Sequence, residues 1–256
     1  MTLYRHGKVA LITGVSRKLG IGAAIAHTLA RAGATIFTTY YSPFDAAMPW
    51  GSAEREPQAI LAELRAHGIA AAGIEANLAD PSAPEQVVAA ANQAFGHIDI
   101  LINNAAYYQA ASLDTLTAAL LDQHYAVNVR GTLLLCRAFA EQHDGRAGGR
   151  IVNLISGQSL TPMPAELPYV MTKAAIEGLT LTLSTALAGK HITVNAVDPG
   201  ATDSGWISDQ LRAELLRQAP FGRVGIPDDA ARLIGFLVSD AGQWITGQVI
   251  RSRGGM

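Results

Sequence analysis

A single cysteine, Cys136, stands in 256 residues, so the chain forms no internal disulfide. It lies in the apolar segment GTLLLCRAF, where a buried, inert thiol is expected rather than a nucleophile. Charge is scarce too: 16% of residues carry one, and the net charge is −2. That leaves no basic footprint for nucleic acid or an anionic membrane surface. No apolar run approaches the ~20 residues of a membrane span. The first residues, MTLYRHGK, lack the apolar core of a signal peptide and lead almost at once into a strand. The histidines, His67, His97 and His143 among them, are scattered without metal-ligand spacing. A reducing cytoplasm suits all of these absences.

What is abundant is apolar: 49% of residues are hydrophobic, enough for one sizeable core without a linker or composition break. Strands and amphipathic helices alternate throughout. Val9–Ile12, Ala34–Tyr41, Ala70–Asn77, Ile98–Asn103, Ile151–Ile155, Ile192–Val197 and Gln248–Ser252 read as strands. Helices are predicted over 23–32, 56–67, 83–95, 116–143, 169–187, 209–218 and 227–238. Ser42–Pro57, with three prolines and a glycine, reads as a long loop with apolar weight from Phe44, Met48 and Trp50. This alternation predicts a single α/β domain over residues 1–256: a doubly wound, Rossmann-type, seven-stranded, mostly parallel sheet with helices on both faces.

Ligands of such sheets sit at the carboxyl ends of the strands. The first strand runs into a turn bearing Gly14, Ser16, Gly20, Ile21 and Gly22 and then into a helix. Glycines there let backbone N–H groups approach an anion, and the helix dipole favours negative charge, so the stretch reads as a phosphate cradle. Tyr169 and Lys173 are four apart at the start of a helix and share one face. A lysine ammonium beside a phenol favours phenolate and brings a tyrosine closer to acid–base work near neutrality. Ser156 ends the fifth strand and belongs to the same face of the sheet.

TGVSRKLGIG, NNAA at Asn103, VNV around Asn128, IVNLIS ending at Ser156, YVMTK at Tyr169 and NAVDPG ending at Gly200 occur in that order, with Ser156 thirteen residues before Tyr169. With the C-terminal WITGQVIRSRGG, the chain resembles the short-chain dehydrogenase/reductase family from about Gly7 to Gly255. The general look is nearest to the 3-oxoacyl carrier-protein reductases. The resemblance implies a hydride moved between a nicotinamide and a small-molecule carbonyl or secondary alcohol. It gives Tyr169 the proton transfer and Ser156 the hydrogen bond to the substrate oxygen. Lys173 would lower the Tyr169 pKa and bind the nicotinamide ribose, and Asn128 would hold a relay water. Asn77 and Leu78 would meet the adenine. Asn104, Ala105 and Ala106 would line the adenosine side, with Ala106 where the family usually has glycine. Pro199, Gly200 and Thr202 would sit by the nicotinamide amide and pyrophosphate. A homotetramer or dimer is also implied.

Five residues separate Gly14 from Gly20 where the family usually has three, a form that looks like the bacterial enoyl reductases. That branch spaces its tyrosine and lysine seven apart, and position 176 here is Ile176. A carbonyl reductase is therefore expected, with an enoyl reductase or a non-catalytic NADP-binding sensor as alternatives. The second strand ends at Tyr40 without a carboxylate to repel a ribose phosphate, and Arg17 and Lys18 carry charge to attract one, which favours NADP. NAD remains possible through Asp45 in the long loop. Gln158, Met163, Tyr107, Tyr108, Trp206 and Leu211 are the expected walls of a mostly apolar substrate cleft.

Overall fold

The computed structural model describes residues 7–48, 50–51 and 55–256. Residues 1–6, and residues 49 and 52–54 of the expected long loop, lie outside that set.

Among the described residues, β1 (Val9–Ile12), β2 (Thr35–Tyr40), β3 (Ala71–Glu75), β4 (Ile100–Asn103), β5 (Gly149–Leu154), β6 (Ile192–Asp198) and β7 (Val249–Arg251) form one sheet in the order β3-β2-β1-β4-β5-β6-β7. Every pairing is parallel. Strands buried on both faces need apolar residues at successive positions, which is why VALI and ILIN are fully buried runs. Their side chains still divide by face. Ala10, Ile12, Ile36, Ile100 and Ile102 pack with Ile25 and Leu29 of α1 (Ile21–Arg31) and Ile234 and Leu237 of α9 (Pro227–Val238). Leu11, Phe37, Leu101 and Ile151 pack with Val87 of α4 (Ala83–Phe95) and Leu135 and Phe139 of α6 (Thr132–Gln142). Strand order reverses between β1 and β4, so their carboxyl ends open a crevice.

Two elements differ from expectation. The 42–57 stretch is not one loop: Ser42–Ala46 forms a short helix, α2, and α3 (Glu56–Ala66) takes its last residues. Pro43 and Pro57 sit in first helical turns, where a missing N–H costs nothing. The long helix expected over 116–143 is α5 (Ala118–Tyr125), a π-helical turn (Ala126–Gly131) and then α6. The one long helix thus becomes three segments, and the widened turn carries Asn128. The remaining helices, α7 (Leu167–Ala186) and α8 (Asp209–Gln218), follow β5 and β6. No helix among the described residues is long and apolar enough to cross a membrane.

Candidate active site

Between β1 and α1 the chain is built for close approach. Gly14 has φ +72°, and a Cβ there would lie 2.8 Å from Ala105 Cα. A Cβ at Gly22 would lie 2.7 Å from Gly14 O. The Asn104 amide ties this turn together, donating to Thr13 O at 2.8 Å and Gly14 O at 3.0 Å. Thr13 Oγ1 accepts from the N–H groups of Asn104 and Ala105 at 3.1 and 3.0 Å. Asn104 and Ala105 therefore buttress the glycine turn. Gly20 caps α1 without a side chain, and no acidic residue occupies the first turn. The N–H groups opening α1, from Ile21 on, thus have no side-chain acceptor of their own, a fit for an anionic pyrophosphate.

Across the crevice, Ser156, Tyr169 and Lys173 converge. Pro168 starts α7 and puts Tyr169 in its first turn. Ser156 stands close enough to the Tyr169 phenol to act on its pKa, and Lys173 Nζ lies 5.4 Å from the Tyr169 ring centre. Lys173 is buried, and its ammonium donates to Leu154 O at 2.8 Å. Burial lowers its pKa to about 8. The expected drop in the Tyr169 pKa is absent: burial, then the charge of Glu166, the nearby Tyr108 and the charge of Asp198, push it up, against Ser156, which pulls it down. Desolvation is the dominant influence on the phenol.

Asn128 is 2% exposed. Its Oδ1 accepts from Tyr107 N at 2.7 Å, and its Nδ2 donates to Tyr107 O at 2.9 Å and Thr172 Oγ1 at 3.1 Å. Thr172 in turn donates to Tyr169 O at 2.9 Å. The π-helical turn thereby joins the loop after β4 to the helix bearing Tyr169.

At the far end, Arg17 donates to Ser204 O at 2.9 Å, lies 3.8 Å from Asp45 Oδ1 and stacks 4.2 Å over the Trp50 ring. Trp50 Nε1 donates to Asp45 at 3.1 Å, so the apolar weight of the 42–57 stretch is packed. Lys18 pairs with Glu63, and its N–H donates to Glu56 at 2.5 Å. The Tyr40 hydroxyl accepts from Gln58 at 3.0 Å. Asn77 accepts from Ala79 N at 3.0 Å in a turn that also buries Leu78. Gly200 (φ +66°) follows Pro199, its N–H donating to Asp198 Oδ1 at 2.9 Å, and Thr202 donates to Pro199 O at 3.0 Å. Ser16, Ile21 and Ala106 are partly exposed along the crevice. Cys136 is buried, and desolvation pushes its thiol up to about 12.

Four groups around Tyr169 are given no role by the sequence: Glu166, Thr172, Asp198 and Arg253. The last three lie within YVMTK, NAVDPG and WITGQVIRSRGG, but nothing in those motifs says that Asp198 and Arg253 pair.

A family model described as Enoyl-(Acyl carrier protein) reductase matches residues 14–256. The chain is 43% identical over 250 residues to the Uncharacterized oxidoreductase YjdA of Bacillus subtilis, covering 97% of this chain and 96% of that one. It is 34% identical over 254 residues to the 3-oxoacyl-acyl-carrier-protein reductase FabG of Staphylococcus aureus, covering 97% and 98%. A short chain dehydrogenase from Burkholderia cenocepacia, solved in complex with NADP, superposes with a TM-score of 0.87 at 37% identity over 98% of both chains. A parallel sheet with a glycine turn at its switch point, and a serine, tyrosine and lysine meeting beside it, agree with those matches: the chain belongs to the short-chain dehydrogenase/reductase family.

Proposed function

We propose that this protein is an NADP-dependent ketoreductase, acting on a small or medium carbonyl compound or the corresponding secondary alcohol. The observation that carries the reading is the meeting of Ser156, Tyr169 and Lys173 at the carboxyl ends of the strands.

The raised pKa of Tyr169 keeps its phenol protonated at neutral pH, the form that donates to a carbonyl oxygen gaining charge. Ser156 donates a second hydrogen bond to that oxygen. Lys173, its pKa lowered to about 8, stays mostly protonated at neutrality and would hold the nicotinamide ribose beside Tyr169. Asn128 fixes Tyr107 and, through Thr172, the first turn of α7. Bound NADPH would supply the hydride. Gly14, Ser16, Gly20, Ile21 and Gly22 would hold its pyrophosphate. Asn77, Leu78 and Asn104 to Ala106 would line its adenosine, and Pro199, Gly200 and Thr202 its nicotinamide amide. Arg17, with Lys18 and Tyr40 near it, would meet the 2′-phosphate, in keeping with the NADP complex of the Burkholderia relative. We place the enzyme in the cytoplasm as a homo-oligomer, tetramer or dimer.

The glycine-turn spacing and the description of the matching family model favour one second reading, an enoyl reductase. Fluorescence titration with NADPH and with NADH, followed by NADPH oxidation on ketones and on α,β-unsaturated thioesters, tests both. Tight NADPH binding with ketone reduction is expected. Turnover of unsaturated thioesters alone would select the second reading. Binding without turnover would make the chain a dinucleotide sensor.

A further inference from the structure

Glu166 stands immediately before α7, three residues ahead of Tyr169, one helical turn away on the same face. Its backbone forms an isolated parallel bridge with Ala111, and Leu167 N donates to Ala111 O at 3.1 Å. That bridge draws the loop after β4 alongside the start of α7. Tyr108 on this loop meets Tyr169 edge-on, with ring centres 5.3 Å apart. The Glu166 carboxylate lies close enough to both phenols to raise the pKa of Tyr108 and of Tyr169.

The charges around Tyr169 are unequally compensated. Asp198 pairs with Arg253 at 3.0 Å. Lys173 donates a hydrogen bond to Leu154 O. No lysine, arginine or histidine among the described residues forms an ion pair with Glu166. Its carboxylate acts on two neutral phenols, Tyr108 and the Tyr169 that would face the substrate oxygen.

Building on the ketoreductase reading, we propose that Glu166 and Tyr108 form a specificity pair. It accepts carbonyl substrates that are neutral or carry a hydroxyl or ammonium donor, and it turns away those bearing a carboxylate or phosphate close to the carbonyl. A donor on the substrate gives the carboxylate a hydrogen bond in the cleft that Tyr108 and Tyr169 line. An anion there meets a like charge in a partly desolvated cleft and gains no cation in return. Desolvation and the carboxylate push Tyr108 up to about 12, so it remains a hydroxyl donor across the working pH range.

The test follows NADPH oxidation on matched substrates: a β-keto acid, its methyl ester and a hydroxyketone of similar size. In the wild type, kcat/KM for the ester is expected to exceed that for the acid on the order of 100-fold. Glu166→Gln removes the charge and is expected to shrink that ratio to within about 5-fold, a loss of roughly 20-fold or more. The ratio is taken within one preparation, so a lower folded fraction cancels. Tyr108→Phe keeps the charge and is expected to keep the bias. An unchanged ratio in Glu166→Gln, loss of the ratio in Tyr108→Phe, or equal use of acid and ester by the wild type overturns the inference while leaving the ketoreductase reading intact. Failure of the wild type to reduce any ketone overturns both.

Discussion

Arg253 Nη1 lies 3.0 Å from Asp198 Oδ2, and this ion pair binds the C-terminal tail to the catalytic ends of β5 and β6. A Cβ at Gly157, the residue after Ser156, would run into Arg253 Nη1, and one at Gly200 would lie 2.9 Å from Arg253 Cγ. Asp198 is 1% exposed and acts on Tyr169 through its charge. The same pair therefore braces two strand ends and restrains the field at the phenol.

Arg253→Met should expose Tyr169 to an uncompensated Asp198. The phenol pKa rises further, and the alkaline limb of the reductive pH–rate profile moves to higher pH. Asp198→Asn should move it the other way. Breaking a buried pair should also cost on the order of 3 kcal/mol in urea unfolding. A lowered stability with an unmoved profile would make the pair a brace only.

Lys173 gives stability a definite pH dependence. Its pKa falls from 10.5 to about 8 on folding because burial penalises the ammonium. Between those values the unfolded chain binds more protons than the folded one, so this group's contribution to stability rises with pH across that window and is flat below it. The difference in unfolding free energy between wild type and Lys173→Met, measured by urea titration from pH 7 to 10.5, should climb over this range.

Gly14→Ala should damage the cradle twice. An L-residue is strained at φ +72°, and the new Cβ would lie 2.8 Å from Ala105 Cα. A cost of about 1–3 kcal/mol in stability is expected, together with loss of tight dinucleotide binding by fluorescence titration. Gly178 on α7 has open space around its absent Cβ, so Gly178→Ala should leave binding untouched.

Arg17→Ala should weaken NADPH binding on the order of 10- to 100-fold, the value of a charged hydrogen bond to phosphate, while NADH binding changes little. Asp45→Asn, which removes the competing carboxylate 3.8 Å away, should tighten NADPH.

Tyr169→Phe should lower kcat about 1,000-fold, within the usual span for a lost general acid, yet retain the cofactor. Single-turnover assays with preformed binary complex would separate the two effects. Comparable turnover in the variant would remove Tyr169 from the acid's role.

The sheet was legible because parallel strands buried on both faces leave continuous apolar runs, as in VALI and ILIN, and because α4, α8 and α9 begin and end where their apolar spacing does. The break at Ala126–Gly131 was not, since AVNVRG keeps helical spacing and an inserted π turn shifts register without changing composition. Prolines misled at Ser42–Ala46, where one of them opens a helix. In the site, the order of Ser156, Tyr169 and Lys173 was visible, but their electrostatics were not. Spacing places Lys173 near the phenol; only the fold reveals that Leu154 O accepts a hydrogen bond from it and that burial governs Tyr169. Asp198 and Arg253, 55 positions apart, meet only through the tertiary fold.

Asn128 behaves as a strand one residue long. Its amide offers Tyr107 a carbonyl and an N–H side by side, as a neighbouring β-strand would; Tyr107 N–H donates to the first and Tyr107 O accepts from the second. The loop after β4 thus gains a sheet-like partner from the middle of a helix. Neither aspartate, which lacks the donor, nor leucine, which lacks both groups, can imitate backbone in this way. Kinetic losses on altering Asn128 will report first on the cleft wall that Tyr107 forms, before any effect on a chain of water.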